Sequence, residues 1–141
     1  MLGEMMERPF FVYGSLMKGF WNEEKYLKGK VIRREAGETN GKLYHIENKG
    51  FPALIEGSET VFGEVIWVKN FPEVVRELDE MESFSKSEED RSQYLRVIQP
   101  VLLDNREIEA YIYRYNPKAE LNRDDQLMPI PSGTWRKFMK K

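Results

Sequence analysis

Strand-like runs outnumber helical ones in this sequence, and close turns separate them. Short β-rich or alternating segments fall at about 9–13, 30–36, 41–47, 53–56, 61–68, 94–102 and 108–115. Turn signals lie between them at Thr39-Asn40-Gly41, Asn48-Lys49-Gly50, Glu56-Gly57-Ser58 and Asp104-Asn105-Arg106. Frequent short strands with close turns predict a largely antiparallel sheet or barrel. Gly63, inside the run 61–68, predicts a bulge. The segment 84–93 reads as a charged loop. The segment 116–133, with Pro117, Pro129, Pro131 and Gly133, reads as a long surface excursion, and Ser132 as the cap of a short C-terminal helix. The tail from Lys137 to Lys141 reads as solvated and frayed.

One stretch has clear helical periodicity, Phe71 to Glu82, with Pro72 in its first turn. At roughly 100° per residue, Phe71, Val74, Val75 and Leu78 form one apolar stripe. Glu73, Arg76, Glu77 and Glu80 cluster opposite, and Asp79 falls on the border. Glu82 does not follow them: measured from Phe71 it falls at about +20°, inside the apolar stripe. A carboxylate aimed at a core is costly unless it is paired, neutralised or facing a cavity. Desolvation raises its pKa toward the range useful for proton transfer near neutral pH. The alternative is structural: a helix-end glutamate bends out to water, or pairs with Arg91 or Arg96.

The first strand-like run, Phe10-Phe11-Val12-Tyr13, stops abruptly at Gly14-Ser15-Leu16-Met17. A strand ending in Gly-Ser presents backbone N–H groups at a sheet edge. Such a turn holds a carboxylate or a developing oxyanion, although most turns of this composition are only turns.

Composition narrows the chemistry. A length of 141 residues suits one domain with one core. The net charge of −2 leaves no electrostatic footprint for nucleic acid or an anionic membrane. No segment approaches the roughly 20 apolar residues of a membrane span. The opening Met1-Leu2-Gly3-Glu4-Met5-Met6-Glu7-Arg8 is too short and too charged for a signal peptide. Together with the lack of cysteine, this predicts a cytoplasmic protein. Without cysteine there is no thiol nucleophile and no thiolate metal site. The only histidine, His45, lies in a strand-like run, where it reads as an exposed or hydrogen-bonded strand residue. Acid–base work in such a chain falls to a carboxylate.

Seven segments, in order over about residues 10–137, then resemble the γ-glutamylcyclotransferase-like family, which includes the AIG2-like and γ-glutamylamine cyclotransferase proteins. Val12-Tyr13-Gly14-Ser15-Leu16-Met17-Lys18-Gly19 resembles the family's opening "VYGTLM-x-G". Phe51-Pro52-Ala53-Leu54-Ile55 resembles "x-PALI", and Val61-Phe62-Gly63-Glu64-Val65 resembles "V-x-GEV". Leu78-Asp79-Glu80-Met81-Glu82 resembles "LD-x-x-E", and Tyr94-Leu95-Arg96 the "Y-x-R" that follows it. Ala110-Tyr111-Ile112-Tyr113 resembles the closing strand, and Ser132-Gly133-Thr134-Trp135 the "SG-x-W" end. Ser15 stands where threonine is commoner, and Ser83 follows the glutamate where glycine is frequent.

The resemblance implies an α+β fold: one domain, with its core at about 9–137, built as a small mixed β-barrel flanked by helices. It implies release of 5-oxoproline from a small γ-glutamyl substrate, whose own α-amine attacks the γ-carbonyl and expels an amine. It makes Glu82 the catalytic acid and base, and Tyr13, Gly14, Ser15 and Leu16 the substrate-binding loop. Ala53 is small enough to border the cavity, and a phenol at Tyr113 could orient the substrate. Asp79 is expected to be a helix-end hydrogen-bond partner, and Trp135 a packing anchor. No metal or cofactor is implied. The partner is the small substrate, with no nucleic acid or membrane, in a monomer or homodimer. The alternative is a non-catalytic small-molecule binding or interaction module on the same fold.

Overall fold

The computed structural model describes residues 7–140. Met1–Met6, on which most of the signal-peptide reading falls, and Lys141 lie outside the described residues. Six strands and two α-helices follow one another. They are β1 (Phe10–Val12), β2 (Val31–Ile46), β3 (Phe51–Val68), α1 (Phe71–Met81), β4 (Tyr94–Leu103), β5 (Arg106–Tyr115), β6 (Leu127–Pro129) and α2 (Trp135–Met139). Short helical turns span Glu23–Leu27, Lys86–Arg91 and Glu120–Asn122.

The strands run in the order β3-β1-β5-β4-β2-β6, and β2 also pairs with β3, so the sheet curls back on itself. Closure is only approximate, because β2 meets β4 at one pair, Glu38 with Leu102. The sheet is mixed: β1 runs parallel to β5 at Phe10 and Tyr111, and the other pairings are antiparallel. The result is an approximately closed α+β barrel flanked by helices, as expected.

The expected turns at 39–41 and 56–58 are not turns. β2 runs through 39–41 paired with residues 59–61 of β3, whereas residues 56–58 bulge out of β3 between Ile55 and Glu59, which pair with Lys42 and Gly41. Polar, glycine-containing stretches look like turns in a sequence, yet here they are long-strand positions where the barrel bends. The turns at Asn48–Gly50 and Asp104–Asn105 are present. No bulge occurs at Gly63, which pairs in register with Gly37. A side chain there would instead strike the Val12 carbonyl, because β1 crosses β3 at that point.

The barrel core holds Phe10, Leu54, Val65, Ile66 and Ile112, all at most 1 % exposed. α1 lays Phe71, Val74, Val75 and Leu78 onto it, as its apolar stripe requires. The region 116–133 is not a surface excursion throughout. β6 pairs with the end of β2, and the buried Asn116 and Asn122 donate to the carbonyls of Ser92 and Gln93 at 2.9 and 3.0 Å. The cap of α2 is Thr134, whose hydroxyl accepts from the Lys137 N–H, and not Ser132. The predicted frayed tail therefore begins inside α2. Trp135 is fully buried, and its ring N–H donates to His45 Nδ1 at 3.1 Å. No described helix is long and apolar enough to cross a membrane.

Candidate active site

Where β1 ends, the chain turns beside the C-terminal end of α1 and the tip of the β2–β3 hairpin. These three features enclose a cavity of about 190 Å³. Its floor is Phe11 and Val12, one side is the loop Tyr13–Leu16 with Asn22, and another is Met81 and Glu82. Pro52, Gln93, Tyr94 and Tyr113 complete much of the wall.

Glycine at position 14 follows from packing. A Cβ there would come within 2.5 Å of the Pro52 ring, so the "YGS" and "PALI" segments need each other. The loop after it is held from within: Met17 N–H donates to Gly14 O at 2.9 Å, and Glu23 N–H to Ser15 O at 3.0 Å. Among the described residues, the N–H groups of Ser15 and Leu16 have no acceptor. The Ser15 hydroxyl accepts from the Asn22 amide at 2.8 Å, and that amide also approaches the Met81 sulfur at 3.8 Å. Asn22 thus ties the loop to the end of α1.

Glu82 is the residue that closes α1. Its N–H still bonds to Leu78 O at 2.9 Å, so its side chain keeps the helical direction that the wheel assigned. Beyond it the chain reverses in a two-bond cap: Ser83 N–H donates to Glu80 O and Phe84 N–H to Asp79 O. That cap needs a left-handed residue, and Ser83 occupies it at φ 56°. This is the physical reason glycine suits that position.

Among the described residues, none gives the Glu82 carboxylate a hydrogen bond or an ion pair. Arg96, one candidate partner, instead donates to Asp79 Oδ1 at 2.8 Å, and Arg91 pairs with Glu88. Burial, and then the like charge of Asp79, push the Glu82 carboxyl up to about 8. The phenols around it stay protonated. Tyr13 is raised well above its ordinary range by burial and by Glu82, Tyr94 by burial and by Tyr13, and Tyr113 by burial and by Asp79. Each has a fixed acceptor: Tyr13 donates to Tyr113 O, Tyr94 to Pro52 O at 2.7 Å and Tyr113 to Asp79 Oδ1 at 2.6 Å.

The cavity therefore brings together Glu82, Tyr13, Gly14, Ser15, Leu16 and Tyr113. Ala53 is not among its lining residues. It is fully buried in a small cluster with Ile46 and Tyr115, and its neighbour Pro52 faces the cavity in its place. Along a strand, successive side chains face opposite sides, so one position decides this. Sequence reasoning did not find Asn22, Gln93 or Tyr94. Tyr94 was visible only as part of "Y-x-R", and the two amides carry no signal without their three-dimensional neighbours. No described group of three or more His, Cys, Asp or Glu side chains could hold a metal ion.

Comparison with known proteins identifies the family and the fold. The family model "Gamma-glutamyl cyclotransferase, AIG2-like" matches residues 10–137. A protein of Methanocaldococcus jannaschii named "Putative gamma-glutamylcyclotransferase" is 34% identical over 113 residues, 74% of this chain and 82% of that protein. The crystal structure of an AIG2-like protein from Mus musculus superposes with a TM-score of 0.64 at 20% identity, covering 94% of each chain. YkqA from Bacillus subtilis superposes at 0.68 with 23% identity, over 95% of this chain, which spans only 41% of the Bacillus chain. The extent of the family match and the identity to the archaeal protein establish that this chain belongs to the AIG2-like γ-glutamyl cyclotransferase family.

Proposed function

We propose that this protein is a γ-glutamyl cyclotransferase that releases 5-oxoproline and a free amine or amino acid from a small γ-glutamyl compound, with Glu82 as the acid and base. The observation that carries this reading is the unpaired Glu82 carboxylate on the wall of a cavity shared with the Gly14–Leu16 loop. Family membership supports the reaction class.

The nucleophile is the substrate's own α-amine, so attack on the γ-carbonyl is intramolecular and closes a five-membered ring. The α-ammonium must first lose a proton. A carboxyl pushed up to about 8 is much nearer in basicity to an α-amine than an ordinary carboxylate is, which makes the proton transfer between them less uphill. That first proton passes through Glu82 to solvent and frees the nitrogen lone pair. The ionised Glu82 then takes a second proton from the same nitrogen as the new C–N bond forms, which leaves the single N–H of the lactam. It returns this second proton to the leaving nitrogen as the amide C–N bond breaks. The two unsatisfied N–H groups of the loop suit the substrate's α-carboxylate or the tetrahedral oxyanion. Tyr13, Tyr94 and Tyr113 are held as neutral walls that shape the glutamyl chain. The cavity suits a small substrate.

The test is mass-spectrometric detection of 5-oxoproline from a panel of γ-glutamyl amines, γ-glutamyl amino acids and glutathione. Product that disappears in Glu82→Gln supports the reading. Binding of these compounds by the folded protein without product would overturn it in favour of a binding module.

A further inference from the structure

We propose that Glu64 is a positioning residue: it sets the conformation of the loop at 14–19 from outside the cavity, through the Lys18 peptide groups and Arg136. This inference rests on that loop holding the substrate, as proposed above. Glu64 belongs to the "V-x-GEV" segment, which the site leaves unexplained, and it does not line the cavity.

Glu64 lies within β3, opposite Val12 of β1 and Ala36 of β2. Its side chain is largely buried, with 18% exposure. Oε1 accepts from the Lys18 backbone N–H at 3.0 Å and from Arg34 Nη1 at 2.6 Å. Oε2 accepts from Arg136 Nη2 at 3.2 Å. The same Arg136 nitrogen donates to the Lys18 carbonyl at 2.9 Å. Both polar backbone groups of Lys18 are therefore gripped by one ion pair, with no sheet or helix bonds to hold them. Arg34 Nη2 continues to Glu23 Oε2 at 3.2 Å, and Glu23 N–H holds Ser15 O. Two cations and two carboxylates alternate from β3 to the loop, and the chain of contacts ends at Ser15.

The loop needs such a hold. It ends at Gly19, whose φ of 94° is open to glycine and strained for other residues. Arg136 stacks over Phe20 at 5.0 Å, so α2 also reaches the loop through this cation. Removing one member of a half-buried ion network leaves the others uncompensated. A displacement of about 1 Å in a substrate-positioning element costs up to about 10²-fold in rate.

The test combines amide hydrogen exchange at 14–19 with steady-state 5-oxoproline kinetics in wild type, Glu64→Gln, Glu64→Ala, Arg136→Ala and the double alanine variant. Glu64→Ala should speed exchange of the Lys18 N–H and raise KM about 10-fold or more, with kcat within a few-fold. Glu64→Gln keeps an oxygen for that N–H and should recover part of both effects. The double variant should lose less than the sum of the single losses. The pH midpoint of kcat should stay with Glu82. A role confined to stability would lower the active fraction, and so kcat, without moving KM. Wild-type exchange and wild-type KM in Glu64→Ala overturn the proposal. If Glu64→Ala does not fold, unchanged Lys18 exchange and KM in both Glu64→Gln and Arg136→Ala overturn it equally. If the wild-type protein makes no 5-oxoproline, the functional reading fails, and Lys18 exchange alone decides the positioning claim.

Discussion

Two carboxylates lie on opposite sides of the 14–19 loop, in surroundings of opposite character. Glu64 sits among two guanidinium groups and a backbone N–H, and every oxygen has a donor. Glu82 sits among three phenols that donate elsewhere, with a second carboxylate, Asp79, one helical turn back. The first has both oxygens committed to donors, and is suited to holding a backbone in place. The second is a carboxyl that burial and Asp79 hold up to about 8, so that it exchanges its proton near neutral pH and is suited to moving one. The same residue type suits either job, and its neighbours decide which.

The contrast is broken most severely at Glu82. Glu82→Gln keeps the shape but cannot exchange a proton, and turnover should fall by at least about 10²-fold while the fold is retained. Product analysis alongside circular dichroism checks both halves. Turnover near wild type would remove Glu82 from the mechanism.

A pH series on stability sharpens the same contrast. The folded-state pKa of Glu82 lies above its unfolded value of 4.5. The native protein therefore binds more protons than the unfolded chain between those limits. The contribution is fully present below about 4.5 and is lost as pH rises through about 8. Relative to Glu82→Gln, the wild type should lose stability on the order of a few kcal/mol between pH 5 and pH 9. Denaturant melts of both proteins at the two pH values test this, and parallel behaviour would contradict it.

Asp79→Asn removes the smaller of the two causes of the Glu82 shift. The midpoint of the pH–rate profile should move to lower pH, but not to the ordinary carboxyl range, because burial remains. An unmoved midpoint would assign the whole shift to burial. Gly14→Ala forces the Pro52 ring away from the loop and should cost about 1–3 kcal/mol, together with weaker ligand binding. Thermal melts and 5-oxoproline titration measure the two. The smallest effect is expected of Ser83→Gly, which relieves a left-handed serine and should raise stability by about 1 kcal/mol, seen as a higher Tm.

Much of this was legible in the sequence because it rests on local periodicity. The helical wheel placed Glu82 among Phe71, Val74, Val75 and Leu78, and the helix delivers it to the cavity. The break at Gly14 marked the loop, and Asp79 was expected to take a hydrogen-bond partner, which it has in Arg96 and Tyr113. What was not legible depends on contacts between distant segments. The strands 31–46 and 51–68 each read as two because Gly41 and Gly57 resemble turn residues; pairing with Glu59 keeps Gly41 extended, and Gly57 sits in an unpaired bulge packed against Gly41 and Lys42. The buried Asn116 and Asn122 look like loop residues until the carbonyls of Ser92 and Gln93 are brought to them. Ala53 was assigned to the cavity where Pro52 faces it, a one-residue difference that only strand register decides.

Whether Glu82 carries the proton is decided by a ¹³C NMR titration of its side-chain carboxyl, assigned by comparison with Glu82→Gln. The expected midpoint lies near pH 8. A midpoint near 4.5, the value of an ordinary glutamate, would contradict it: Glu82 would then be a solvated helix-end charge, and the proton transfer would need another group.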